Sequence, residues 1–210
     1  MMLLVVNITL VDVAGQDAQL LISAHGILNR TFMLIFLPVL GMMIAFQTFA
    51  GFNYGAQQYK RVAKVLKVAI IFSSIYALFW SVLMIAKPQW LLQLFTTDQE
   101  LISAAADISS VVFLCFVTVG VGMMCPALFQ ALGYAKPAMI LNSLHTYFLL
   151  LPALWIFSSL YGVAGIWWSF PVIDLLSVIV IGFYTWKFVG RLERNEGAMN
   201  HRYVETLENT

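Results

Sequence analysis

Long apolar runs separated by short polar or charged segments dominate the chain. The run from Thr31 to Tyr59 contains no Asp, Glu, Lys or Arg, and a cluster of basic residues follows it at once. A helix needs about 20 apolar residues to cross the hydrocarbon core of a bilayer, so runs of this length predict membrane-spanning helices. We place the predicted spans at 28–53, 65–86, 108–132, 138–160 and 163–189, after a partial span at 1–15.

The spans make up one predicted unit, residues 1–190, and the polar residues 191–210 form a predicted cytoplasmic tail. The opening run from Met1 to Val11 is apolar but supplies only about half of a crossing. It also lacks the basic region of a signal peptide. We therefore expect an all-α integral membrane protein, a six-helix bundle whose first helix is truncated.

The distribution of basic residues tests this helix count. With the spans above, nine of the 11 lysines and arginines fall on one side of the membrane, and only Arg30 and Lys87 fall on the other. Basic residues accumulate in cytoplasmic loops, so the pattern predicts a multi-pass membrane protein with a cytoplasmic C-terminus. We expect the membrane to be a bacterial inner (plasma) membrane. The nine are Lys60, Arg61, Lys64, Lys67, Lys136, Lys187, Arg191, Arg194 and Arg202.

Composition agrees with a lipid bilayer as the surroundings. Hydrophobic residues make up 61% of the chain and charged residues 10%, whereas soluble domains carry roughly 25% charged residues. The net charge of +1 argues against nucleic acid as a partner. Cys115 and Cys125 lack metal-ligand spacing, and we expect both to be buried small hydrophobic residues.

Several classes of chemistry have no motif in this sequence. It contains no phosphate-binding glycine loop, no H-E-x-x-H pair and no G-x-S-x-G elbow. We therefore predict no catalytic residues, no metal site and no cofactor. ATP-driven transport within this chain is excluded on the same ground.

Asp174 is the leading candidate for a functional residue, because it is the only acid inside a predicted full-length span. A carboxylate near the centre of a bilayer costs about 2.5–3.5 kcal/mol on insertion scales, so it should face protein or a water-filled cavity. His145 and Asn142 lie three positions apart and share one helix face. Neighbouring spans make contact between His145 and Asp174 possible. A purely structural hydrogen bond between helices is the alternative.

Four more residues are candidates for a substrate cavity or transport path. Amide side chains within spans either bind ligands or join helices, and a methionine offers a flexible surface to apolar ligands or simply packs in the core. We expect His25 and Arg30, in the outer connection, to be solvated. The four candidates are Gln47, Asn53, Met124 and Gln130.

Three segments together resemble the second half of a multidrug and toxic compound extrusion (MATE) transporter. The first is ISAHGILNRTFMLIFLPVLGMMIAFQTFAGFNYGAQQYKRV, with the small-residue entry that ends in Arg30, the Pro38-x-x-Gly41 pair and G-x-N-Y-G-A at Gly51 to Ala56. PALFQALGYAKPAMI and YGVAGIWWSFPVIDLLS resemble later spans of the same half. The resemblance covers essentially the whole chain.

The resemblance implies two six-helix bundles that face each other across a cavity and export small organic drugs, often cations, in exchange for Na⁺ or H⁺. This chain would be one lobe of the transporter, a fragment without the N-terminal bundle, and would not transport by itself. Several family members carry an acidic coupling residue in the first and fourth helices of this half, but the predicted span 108–132 has no internal acid. We therefore expect the coupling-ion site to lie outside this chain.

Two alternatives stay open. A lipid-linked oligosaccharide flippase of the same superfamily would need basic residues within the spans to meet phosphates. A non-transporting membrane scaffold would use the small residues at Gly120 to Gly122 and Gly162 to Gly165 only for helix packing.

Overall fold

The computed structural model describes the backbone of residues 2–208 and the side chains of residues 4–194. Every regular element in this part of the chain is helical, so the predicted all-α class is confirmed. Short 3₁₀ turns join some helices, at Gly15–Asp17 and Phe116–Thr118, and a π-helical segment occupies Leu144–Leu150. The α-helices are α1 (Met2–Ala14), α2 (Ala18–Gly55), α3 (Tyr59–Ala86), α4 (Gln89–Leu92), α5 (Gln99–Val112), α6 (Val119–Ala131), α7 (Ala135–Ser143) and α8 (Leu151–Glu208).

The apolar helical stretches are long enough to cross a membrane. Leu4–Gly55, Tyr59–Ala86 and Ala135–Arg194 each meet the length and composition of a span, and α5 with α6 adds a stretch bent by 54°. Leu4–Gly55, at 52 residues, is far longer than the roughly 20 that one crossing needs. Gly15 breaks it with a φ of +56°. The number of crossings and their bounds stay a prediction.

The helices pack into one bundle around three clusters of buried apolar side chains. α2 packs on α3, α5 and α6, and α1 closes the bundle by packing against α8. Gly120 on α6 lets that helix approach α3 closely, because a Cβ there would collide with Ser74 and with the Ile70 carbonyl. The core side chains include Leu10, Ile35, Phe113, Leu154 and Ile166.

Large apolar side chains also cover the outside of the bundle. In water, contiguous apolar patches of this kind are unfavourable, whereas lipid tails solvate them without cost. This outward apolar surface is therefore consistent with a bilayer as the solvent of the bundle. Examples among the described residues are Phe52, Phe72, Trp155, Leu160 and Trp186.

Gly162 divides the last 60-residue stretch into two arms, which we call the first arm (135–161) and the second arm (163–194). Its φ of +62° and ψ of −141° lie outside the helical region and are open to glycine alone. Three residues later, a Cβ on Gly165 would overlap the Phe157 carbonyl, so the arms touch at the reversal. The chain therefore turns back on itself and packs the two arms together.

Pro152 lies next to the irregular part of the first arm. Proline has no N–H to donate to the carbonyl four residues earlier, and its ring crowds that carbonyl. The π-helical turns of Leu144–Leu150 come directly before it, and they widen the helix where His145 lies. π-helical segments are rare in proteins, and those that do occur are often found at functional sites.

The two cysteines are buried and unpaired, which confirms the expectation that they act as small hydrophobic residues. Of the predicted tail, residues 191–210, the side chains beyond 194 lie outside the described residues. Arg202, one of the nine basic residues used for orientation, is among them.

Candidate functional site

A cavity of about 350 Å³ opens between α2, the α5–α6 connection and the two arms. Its wall is mostly apolar, with a few polar side chains concentrated on the arms. Cavities of this size and character are the usual sites for small organic ligands in proteins. The polar side chains on the arms are Asn142, His145, Thr146, Asp174 and Ser177.

His145 and Asp174 meet across the two arms at this cavity. His145 Nε2 lies 2.8 Å from Asp174 Oδ1, the distance of a short hydrogen bond from imidazole to carboxylate. The side chains are 35% and 24% exposed, so both remain reachable from the cavity. The contact that neighbouring spans made possible is therefore present, and it provides the partner that an acid inside a predicted span requires.

Four phenylalanine rings form an aromatic wall on another side of the same cavity. Phe32 on α2 stacks on Phe36 with ring centroids 5.3 Å apart, and its ring meets Phe116 edge-on at 5.6 Å. Phe113 packs against Phe116 at 5.2 Å. All four rings line the cavity. Rings so arranged present both faces and edges to a bound molecule.

His25 lies at the cavity as well, contrary to the expectation of a solvated position. α2 begins at Ala18, and its first turns bury His25 to 8% exposure. The ring packs 5.6 Å from Trp167, and its Nδ1 lies 3.5 Å from Asn7 Oδ1. The expectation was wrong because the polar residues before position 28 continue the helix instead of forming a linker.

The other candidate residues lie away from this cavity. Gln47 on α2 donates a hydrogen bond of 2.8 Å to Gln130 on α6. Asn53 donates to the Phe49 carbonyl of its own helix at 2.7 Å. Met124 is fully buried in the core between α2, α3 and α6. The structure thus brings Asn142, His145 and Asp174 together and separates the remaining four, whose roles in transport stay a prediction.

A second polar contact joins α2 to Tyr134, the residue directly before the first arm. The Tyr54 and Tyr134 hydroxyls lie 3.0 Å apart, within hydrogen-bond distance. Together with the Gln47–Gln130 bond, it forms what we call the amide–phenol contacts. Both are exposed and consist of amide and phenol groups.

Sequence reasoning missed the aromatic wall and the place of His25. The 16 phenylalanines carry no periodic signal that separates those lining a cavity from those facing lipid. For His25, the uninterrupted helical pattern from Ala18 onward was a usable signal.

Comparison with known proteins finds a matching family and several similar proteins. The MatE family model matches residues 1–156. The multidrug export protein MepA of Staphylococcus haemolyticus is 23% identical over 179 residues, which cover 85% of this chain and 39% of MepA. The probable multidrug resistance protein YoeA of Bacillus subtilis is 23% identical over 185 residues, covering 86% of this chain and 39% of YoeA. The chain thus spans about two fifths of the length of these relatives.

Solved structures give the same fold. A transporter of the MOP superfamily from Pyrococcus furiosus superposes with a TM-score of 0.82 at 20% identity, over 91% of this chain and 43% of that one. The MATE multidrug transporter DinF-BH superposes with a TM-score of 0.70 at 31% identity, over 78% of this chain and 36% of that one.

Proposed function

The chain belongs to the MatE family, and on that premise we propose that it is one half of a secondary multidrug efflux transporter. In this proposal a second six-helix bundle faces the chain across a central cavity. The two bundles rock so that the cavity opens alternately to each side, and an organic, often cationic compound is exchanged for Na⁺ or H⁺. The sequence motifs support assignment to the C-terminal half, and the names of the relatives support multidrug export.

The cavity between α2 and the arms is the observation that carries this proposal. It combines a carboxylate, Asp174, with an aromatic wall that includes Phe32 and Phe116. A cation bound between them is attracted by the carboxylate and by the negative faces of the rings. The same cavity offers little to an anionic ligand, since no lysine or arginine is among the described residues that line it. The polarity therefore favours export of cations over flipping of a phosphate-bearing lipid.

We place the protein in a bacterial plasma membrane with the basic loops and the C-terminal tail on the cytoplasmic side. The support is the distribution of Lys and Arg, nine against two, together with the outward apolar surface.

Ethidium efflux from cells that carry the complete transporter tests the proposal. We expect Asp174→Asn to lower efflux at least tenfold, because the loss of one charge-assisted contact corresponds to about 1.5–3 kcal/mol. Asp17→Asn is the matched control, since Asp17 is exposed, is distant from Asp174 in the sequence and makes no side-chain capping bond. Unchanged efflux in Asp174→Asn would leave the acid with a purely structural hydrogen bond between helices, and absence of efflux in the wild type would favour the scaffold alternative.

A further inference from the structure

The outward face of α3 changes character along its length. Three basic side chains near the start of the helix are exposed, and we call them the basic stripe: Arg61, Lys64 and Lys67. Ile71 follows Lys67 by four positions and Lys64 by seven, so these side chains share one helix face. Aliphatic side chains, each at least 43% exposed, continue this face and form what we call the aliphatic stripe: Ile71, Ile75, Leu78, Val82 and Ile85. One face of α3 therefore carries positive charge at one end and hydrocarbon along the rest.

The lengths of the two stripes match the layers of a bilayer. Residues 68–86 contain no charged side chain and span about 28 Å at 1.5 Å per residue, close to the roughly 30 Å of a hydrocarbon core. Lys87 closes the far end of this stretch. Lys67 then lies at the near edge of the core, with Lys64 about 4.5 Å and Arg61 about 9 Å farther out. The basic stripe therefore lies at the depth of the lipid headgroups.

The charges of the basic stripe are not balanced within the described part of the chain. No Asp or Glu occurs from residue 18 to residue 97. None of the three basic side chains forms an ion pair with a described acidic residue. The first turn of α3 has neither an acidic residue nor a side-chain cap, so the positive end of the helix dipole adds to the same field. This field attracts an anion, and phosphate is the anionic group that a bilayer presents at this depth.

The end of the second arm carries the same number of exposed basic side chains at a similar helical spacing. We call them the arm cations: Lys187, Arg191 and Arg194. Lys187 Nζ lies 4.4 Å from the centre of the Phe183 ring, and Arg194 Nε donates a hydrogen bond of 3.1 Å to a backbone carbonyl. Glu193 adds a negative charge among them. Two of the arm cations thus have partners in the chain and an acid beside them, which distinguishes them from the basic stripe.

We propose that the basic stripe and the aliphatic stripe of α3 together bind an anionic phospholipid from the leaflet that the basic loops face. The phosphate lies against Lys64 and Lys67, and Arg61 offers it two parallel N–H groups. The acyl chains lie along the aliphatic stripe. This surface is on the outside of the bundle and is independent of the exported compound, so it goes beyond the proposed function.

Native mass spectrometry of the purified protein in detergent tests the proposal with two lipids of equal chain length, dioleoylphosphatidylglycerol and dioleoylphosphatidylcholine. Each basic residue near an anionic lipid surface corresponds to about a fivefold gain in affinity. We therefore expect the first phosphatidylglycerol to bind at least tenfold more tightly than the first phosphatidylcholine. Glycerophosphoglycerol, the headgroup without acyl chains, should not displace the lipid at millimolar concentration, since it makes no contact with the aliphatic stripe.

Two triple variants, each of which removes three positive charges, locate the binding. Replacing the basic stripe by Arg61→Gln, Lys64→Gln and Lys67→Gln should reduce the preference for phosphatidylglycerol at least tenfold. The matched control replaces the three arm cations by glutamine and should keep the preference within about threefold of wild type. Unchanged binding of phosphatidylcholine shows that each variant is folded. The single variant Lys64→Gln should lose about fivefold in preference, and Lys64→Arg should retain it.

Each outcome decides the proposal. Equal affinity of the wild type for the two lipids, or an equal loss of preference in the two triple variants, overturns it, because the basic residues would then only orient the protein in the membrane. Displacement of phosphatidylglycerol by the free headgroup overturns the lipid as the ligand in favour of a soluble phosphate ester. A loss confined to the basic stripe supports the proposal. Ethidium efflux tests the proposed export function separately, so that function stands or falls independently of these results.

Discussion

Two kinds of polar contact join helices in this apolar bundle, and they differ in what they can do. The His145–Asp174 pair joins the two arms at a cavity and includes a carboxyl group. The amide–phenol contacts, Gln47–Gln130 and Tyr54–Tyr134, join α2 to α6 and to the residue before the first arm through amide and phenol groups, which carry no formal charge. A neutral contact can stabilise a bundle without responding to a ligand. A carboxylate at a cavity can in addition attract a cationic ligand, so the position of a polar contact and the charge it carries decide whether it can take part in binding.

Replacing both members of each pair by leucine should give the largest contrast. In His145→Leu with Asp174→Leu, we expect ethidium efflux by the complete transporter to fall by about 10–100-fold, since the carboxylate that this lobe presents to the cavity is lost. Folding should survive, because an ion pair replaced by apolar groups of similar volume is often neutral in stability.

The matched control is the double leucine variant at Gln47 and Gln130. Its efflux should stay within about twofold of wild type, a change that corresponds to a free-energy difference well under about 1.4 kcal/mol. A loss of efflux in this control comparable to that in the His145 and Asp174 variant would remove the distinction between the two contacts.

The single substitution His145→Leu should destabilise the protein more than the double substitution does. Asp174 then loses its partner while its side chain remains about three-quarters buried, and an unsatisfied polar group of this kind costs about 1–3 kcal/mol. Thermal unfolding in detergent measures the difference. The comparison fails if adding Asp174→Leu to His145→Leu does not restore the melting temperature.

A double-mutant cycle on Gln47 and Gln130 should give a coupling energy smaller than the loss of stability expected for His145→Leu. Hydrogen bonds between membrane helices average about 0.6 kcal/mol in such cycles, because the unfolded chain in the membrane also finds partners. Unfolding of the two single leucine variants and of the double variant supplies the coupling energy. A coupling energy above about 2 kcal/mol would show that this contact does more than hold two helices together.

Tyr54→Phe should have the smallest effect, since it removes one hydroxyl from an exposed contact and keeps the ring. We expect a loss of about 0.5 kcal/mol, the lower end for a hydrogen bond. Tyr134→Phe is the reciprocal variant and should match it in unfolding experiments. Unequal losses would mean that one hydroxyl has a further partner.

The sequence predicted the class of fold and part of the site for physical reasons that can be stated. Apolar length and a lone acid are local signals, and they led to a helical membrane bundle and to Asp174. The possible contact with His145 followed from the adjacency of two spans. The widened helix at Leu144–Leu150 had a local signal in Pro152, but the depth at which it places His145 depends on packing.

What the sequence could not provide depends on contacts between distant elements. Phe32 and Phe116 meet only after α2 packs against the α5–α6 connection, and neither residue differs in its local pattern from a lipid-facing phenylalanine. The same limit applies to Met124, which the structure places in the core beside Met123, a residue of the cavity wall. Adjacent positions on a helix face different directions, and the bundle decides which of them meets the cavity.

The reversal at Gly162 ties His145 and Asp174 to one continuous piece of chain. Their mutual alignment is therefore set by the residue count along the two arms. A single inserted residue within the second arm, between Gly165 and Asp174, would rotate everything after it by about 100°. The carboxylate would then leave its partner, so this short segment should tolerate exchange of side chains far better than any change in length.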